Sequence, residues 1–165
     1  MDFRLDHVVE KPPNRAFEIL VSDVFQSETD RQVSLVKTLI SEEEGPDGPV
    51  KRWRVLEESD KPDFAKKLVG SAFEYTLEQR VQHSLRRLSW RVTPPMMSDR
   101  VKAEGYEQID AVVGDDLRSH RVIVGTIEVS APFVGKKLAE YIGGQVRAGF
   151  ERSMPFIASY IAEAE

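Results

Sequence analysis

Hydrophobic and polar residues alternate with a period of two at the start of the chain. In Phe3-Arg4-Leu5-Asp6-His7-Val8-Val9 the residues Phe3, Leu5, His7 and Val9 share one face, the pattern of a half-buried strand. Lys11-Pro12-Pro13 ends it, and the spacing turns helical over residues 14–20. Pro13 suits a first helical turn because its missing N–H would have no partner there. A second short helix is predicted over residues 22–27, with Ser22 as its cap.

The period then returns to two. Residues 32–41 and 50–56 read as paired strands, and the Glu42-Glu43-Glu44-Gly45-Pro46-Asp47-Gly48-Pro49 run between them as an exposed hairpin loop. Residues 74–81 and 85–93 form another pair, closed by Thr93-Pro94-Pro95. Residues 101–113 and 118–130 form a third, hinged at Gly114-Asp115-Asp116. One segment interrupts the hairpins: residues 61–70 have a Pro start, a Gly stop and Phe64 and Leu68 four apart, which predicts one to two turns of helix.

The strongest signal lies at the end. From Val134 to about Glu163 the residues follow a helical period, and an arc of roughly 200° at about 100° per residue collects Leu138, Ala139, Ile142, Val146, Gly149, Phe150, Met154, Ile157, Tyr160 and Ile161. Lys136, Lys137, Glu140, Arg147 and Glu151 fall at its rim or outside it. Such a helix would be about 43 Å long and needs a broad apolar partner. Pro155 lies opposite the apolar arc, where a bend would wrap the helix around that partner.

The order is therefore strand, two short helices, six strands with hairpin spacing and one long amphipathic helix. No helical crossovers separate the strands, so a doubly wound parallel sheet is excluded. An α+β helix-grip fold, a curved antiparallel sheet of about seven strands around the terminal helix, accounts for the order and the lengths. The 165 residues, 41% of them hydrophobic, fit one domain over residues 1–165.

Two stretches carry a resemblance. Pro62-Asp63-Phe64-Ala65-Lys66-Lys67-Leu68-Val69-Gly70, and Val129-Ser130-Ala131-Pro132-Phe133-Val134-Gly135-Lys136-Lys137-Leu138 leading into the last helix, resemble a bacterial family of START-related proteins of unknown function. The first stretch is also similar to the short Pro-initiated helix of the PRELI/MSF1 phospholipid-transfer proteins. The resemblance implies a Bet v 1-like (SRPBCC) fold whose sheet and long helix enclose an apolar cavity, of the kind used for lipids, sterols or polyketides. A fold alone does not fix a function.

Composition narrows the chemistry. With 23 Lys and Arg against 28 Asp and Glu, the net charge of -5 gives no global field toward nucleic acid. The absence of cysteine excludes a disulfide framework, a thiolate metal site and a Cys nucleophile. Met1 is followed by Asp2, Arg4 and Asp6 rather than a basic segment and an apolar run, and no stretch reads as a membrane span, so a cytoplasmic protein is expected.

His7, His83 and His120 have no metal-ligand spacing. His7 is read as a core or cavity-wall residue and the other two as solvent contacts. Ser119 and His120, adjacent on a strand, point to opposite faces and cannot form a hydrolase pair. No glycine-rich phosphate motif is present, and neither a catalytic residue, a metal nor a cofactor is assigned. Within the long helix Gly143, Gly144 and Gly149 each cost about 1 kcal/mol relative to Ala, which asks either for close helix-to-strand packing or, at Gly149, for room beside a ligand.

The aromatic set Trp53, Phe73, Tyr75, Trp90 and Phe150 supplies large apolar area. A cavity lined by Tyr75, Leu77, Trp90, Val92, Ile142, Val146, Gly149 and Phe150 would suit an elongated apolar molecule. Phe64 and Leu68, with Lys66 and Lys67 beside them, would form a lid or a transient contact with an anionic bilayer, each lysine worth about 1 kcal/mol there. Lys136 and Lys137 join that mouth on the resemblance alone. The sequence thus leads to non-enzymatic binding, and transfer, of a hydrophobic ligand such as a phospholipid or fatty acid. A polyketide cyclase or dehydratase-like enzyme using His7 or a cavity carboxylate, and a regulator that docks on another protein, are the alternatives.

Overall fold

The structure is a computed structural model and describes residues 1–57, 63 and 73–165. The insert at residues 61–70, with Phe64, Lys66, Lys67 and Leu68, lies outside the described residues apart from Asp63, as does the side chain of Phe73.

Strand β1 (Asp2–Val9) buries Phe3, Leu5 and Val9 on one face, as the alternation predicts. Helix α1 (Pro13–Leu20) has proline in its first turn. Helix α2 (Asp23–Gln32) starts at Ser22, whose hydroxyl accepts from the Phe25 N–H at 3.3 Å. It runs five residues past the expected end at residue 27. The extension carries no apolar repeat, and the Arg31–Glu28 pair, 2.9 Å apart and one turn away, supports it.

Because α2 consumes Gln32, strand β2 (Leu35–Gly45) begins three residues later than predicted. It also runs further: Glu42, Glu43 and Glu44 are strand residues and not a loop, and only Pro46 and Asp47 turn the chain into β3 (Gly48–Glu57). The acids are tolerated there because basic residues face them across the pair, Lys51 at 3.8 Å from Glu42 and Arg52 at 3.7 Å from Glu43. The remaining strands are β4 (Phe73–Gln82), β5 (Arg87–Thr93), β6 (Val101–Val112) and β7 (Asp115–Val129), with a single 3-10 turn at His83–Leu85 joining β4 to β5. Helix α3 (Gly135–Glu163) closes the chain over 29 residues, and Pro155 within it is exposed.

All seven strands form one antiparallel sheet in the order β1-β7-β6-β5-β4-β3-β2. The chain crosses from one edge of this sheet to the other through α1 and α2. Two apolar clusters lie on the concave side. One joins Phe17, Leu20 and Phe25 to Ile157 and Ile161 at the end of α3; the other joins Phe3, Trp90 and Ile127 to Leu138 and Ile142 at its beginning. Each such fully buried side chain stabilises by about 1.5–3 kcal/mol.

A row of residues across the sheet shapes the second cluster. Phe3 faces Gly125, Gly125 faces Gly105 and Gly105 faces Trp90 in register. A Cβ on Gly105 would strike the Trp90 ring and one on Gly125 the Phe3 ring. The two glycines therefore form a depression into which both aromatic rings are pressed, and Phe150 from α3 lies 6.0 Å from Trp90 and 6.3 Å from Phe3 between ring centroids.

Candidate functional site

Where α3, α2 and the concave face of β4 and β5 meet, the packing leaves a cavity of about 210 Å³. Tyr75, Leu77, Trp90, Val92, Ile142, Val146, Gly149 and Phe150 all line it. The strand residues reach it by period two. The helix residues follow the ladder Leu138, Ile142, Val146, Gly149 and Phe150 along one side of α3, which places them above the same part of the sheet. Of the helix glycines, Gly143 is packed against Met1, whereas a Cβ on Gly144 or Gly149 would meet nothing within 4 Å among the described residues. Gly143 thus packs closely against the chain's first residue, ahead of β1, and Gly149 is among the residues that line the cavity. Trp53, grouped with these aromatic residues from the sequence, instead lines a second cavity of about 480 Å³ between α2 and β2–β4.

The extension of α2 brings polar groups that the apolar pattern gave no reason to expect. Thr29 and Asp30 of the extension line the first cavity with Gln26 from the turn before it, and Lys37 reaches it from β2. The Lys37 ammonium lies 2.8 Å from the Asp30 carboxylate, and 4.9 Å from the centre of the Trp53 ring on its other side. Burial raises the Asp30 carboxyl above its ordinary range, with Lys37 opposing the shift. Burial likewise raises the Tyr75 hydroxyl, helped by the negative charges of Glu57 and Asp30.

A second charged group lies at the boundary between the two apolar clusters. Arg121 is 1% exposed and Glu107, on the cavity wall, 8%. Arg121 donates from Nε to Glu107 Oε2 at 2.9 Å and from Nη2 to the same oxygen, and from Nη1 to His7 Nε2 at 2.8 Å. A guanidinium only donates, so His7 accepts through Nε2 and carries its proton on Nδ1. The signal for this network is a charged residue at an inward position in each strand: Glu107 between Gly105 and Ile109, and Arg121 between Ser119 and Ile123.

His7 is therefore a partner of Arg121 at the strand interior and is not among the residues lining the cavity. Burial first, and the Arg121 charge second, pull its pKa down from 6.5 to about 4. The unfolded chain takes up a proton on this imidazole as pH falls through about 6.5, and the folded chain does so only near 4. Stability is thus lost progressively over that interval, with no further loss from this group below it. His7→Gln keeps an acceptor for Arg121 and should flatten the fall in urea midpoint between pH 6.5 and 4; an unchanged profile would show that His7 already protonates freely in the folded state.

Ser119 and His120 point to opposite faces, as expected. The Ser119 hydroxyl is buried and donates to the Lys11 carbonyl, while His120 Nε2 lies 3.3 Å from Asp6 Oδ1 on the outer face. His83 is exposed, with its ring edge-on to Phe17. Lys136 and Lys137 are exposed in the first turn of α3. Among the described residues no group of three or more His, Asp or Glu could hold a metal ion, and no helix is long and apolar enough to cross a membrane.

The family described as "Protein of unknown function (DUF2505)" matches residues 4–161. No curated protein matches the chain. Among solved structures, the fold is similar to the Zhui aromatase/cyclase from Streptomyces sp. R1128, at 12% identity and a TM-score of 0.65 over 98% of this chain and 93% of that one. It is also similar to norcoclaurine synthase from Thalictrum flavum, solved in complex with dopamine and hydroxybenzaldehyde, at 11% identity and 0.64 over 100% and 88%. A START superfamily protein from Mycobacterium smegmatis aligns at 11% identity and 0.62 over 96% and 97%. At these identities the likeness is one of fold: a START-like helix grip.

Proposed function

The chain belongs to the family described as "Protein of unknown function (DUF2505)" and has a START-like fold, and from that premise we propose that it binds a hydrophobic small molecule between its sheet and α3 without transforming it. The observation that carries this reading is the convergence of Tyr75, Leu77, Trp90, Val92, Ile142, Val146, Gly149 and Phe150 on one cavity, where a Cβ at Gly149 would meet none of the described residues. Apolar side chains with polar groups such as Gln26, Asp30 and Lys37 among them suit an amphiphile, since burying its chain gains about 25 cal/mol per Å² while its polar end keeps hydrogen-bond partners. The ligand we favour is a single-chain lipid or a molecule of similar shape. Transfer of that ligand at a bilayer surface is the fuller form of the proposal; it rests on the sequence of residues 61–70, where Phe64 and Leu68 accompany Lys66 and Lys67.

Titration with N-phenyl-1-naphthylamine, which fluoresces in apolar surroundings, tests the binding reading. One saturable site with energy transfer from tryptophan is expected. A linear, unsaturable rise would overturn it.

A catalytic reading has one specific observation behind it, a half-buried carboxyl of raised pKa, Asp30, that lines the same cavity as Tyr75. His7, the other candidate acid or base, is engaged by Arg121 instead.

A further inference from the structure

The two cavities share a boundary, and its chemistry specifies the head of the ligand. Gln26, Asp30, Leu35, Lys37 and Gln79 line both. Lys37 therefore stands between an apolar compartment under α3 and a more polar one beside α2. Its side chain is 7% exposed, so its charge needs partners at this junction.

The two partners are unequal. The Trp53 face, 4.9 Å away, supports the ammonium through the ring quadrupole and belongs to the sheet. Asp30 sits in the last turn of α2, where the helix dipole disfavours a carboxylate, and burial opposes its charge as well. Its side chain is the more exposed of the two at 19%. Asp30 is thus the replaceable member. Gln79, on β4, lines the same junction, and its side-chain amide makes no hydrogen bond among the described residues, so it has a donor to offer there.

We propose that the ligand is an amphiphile with a carboxylate head, which takes the place of the Asp30 carboxylate on Lys37 and accepts from the Gln79 amide while its chain fills the apolar compartment under α3. The exchange replaces one carboxylate by another, so the ammonium is never left buried without an anion. An inward lysine on the edge strand β2 also guards that edge against pairing with another chain. That role makes no distinction between an acid and an alcohol of the same length. The inference rests on the binding reading above, since the chain of the ligand occupies the same cavity.

The test compares dodecanoate with dodecanol as competitors of N-phenyl-1-naphthylamine. On the unmodified protein dodecanoate should bind at least tenfold more tightly. Lys37→Met should remove that preference by weakening dodecanoate at least tenfold while dodecanol changes less than twofold. Asp30→Asn, which removes the internal competitor and keeps the shape, should tighten dodecanoate severalfold. Equal affinity of acid and alcohol on the unmodified protein would overturn the head-group assignment and leave the cavity reading standing. Failure of both to compete would overturn the cavity reading itself. If Lys37→Met does not fold, the acid–alcohol ratio and Asp30→Asn decide the question without it.

Discussion

Arg121→Leu is expected to cost about 3–5 kcal/mol of folding stability, because it strands the Glu107 carboxylate at a position where water does not replace the lost donor. Arg121 is 1% exposed, and three of its N–H groups are spent on Glu107 and His7. Desolvation of each ion costs several kcal/mol and is offset only while both are present. Glu107→Leu made in the Arg121→Leu background should therefore recover most of the loss. The leucines would join Leu5, Leu88 and Ile109, which already flank the site in register. Urea unfolding of the two single variants and the double variant reads this as a cycle. Additive losses, or a single-variant loss below about 1 kcal/mol, would mean that water reaches the pair and that it does not separate the two clusters as a buried unit.

Gly149→Leu should separate stability from binding. A helix-interior glycine costs about 1 kcal/mol relative to a good helix former, and a Cβ here meets none of the described residues within 4 Å. The variant should gain about 1–2 kcal/mol in a thermal melt and lose at least tenfold in affinity for N-phenyl-1-naphthylamine, because its isobutyl group occupies the cavity between Phe150 and Val146. Gly144 supplies the control. A Cβ there also meets none of the described residues, yet Gly144 is not among those that line the cavity, so Gly144→Leu should leave the probe affinity unchanged. Binding unaffected by Gly149→Leu would place the probe elsewhere on the molecule.

The wall of the cavity was legible in the sequence because each of its members belongs to a periodic pattern. Tyr75 and Leu77 alternate inward on β4, Trp90 and Val92 on β5, and Ile142, Val146, Gly149 and Phe150 follow the helix ladder of α3. Once the helix was paired with the hairpins these sets had one place to meet. The polar end was not legible in the same way. Thr29 and Asp30 lie on a stretch of α2 with no apolar repeat after Phe25, held by its cap and by the Arg31–Glu28 pair, so its contribution follows from tertiary position and not from periodicity. The acidic run at residues 42–44 misled for a related reason: composition suggested a solvated loop, and the cross-strand partners Lys51 and Arg52 that keep it in a strand lie in another segment.

Glu107 and Arg121 were legible in principle. Each breaks the apolar alternation of a strand at an inward position, and the hairpin register of β6 and β7 brings the two breaks within reach. Neither break signals a pair by itself. The facing glycines Gly105 and Gly125 are a similar case, since their meaning as a seat for Phe3 and Trp90 depends on three strand pairings at once.

Binding of a guest requires that sheet and helix leave room between them. Native mass spectrometry of the protein purified from cells, repeated after extraction with organic solvent, tests it most directly. A discrete adduct in the mass range of a single-chain amphiphile is expected, lost on extraction and strongly reduced in Gly149→Leu. A protein of bare polypeptide mass that also takes up neither dodecanoate nor dodecanol when they are supplied would contradict it.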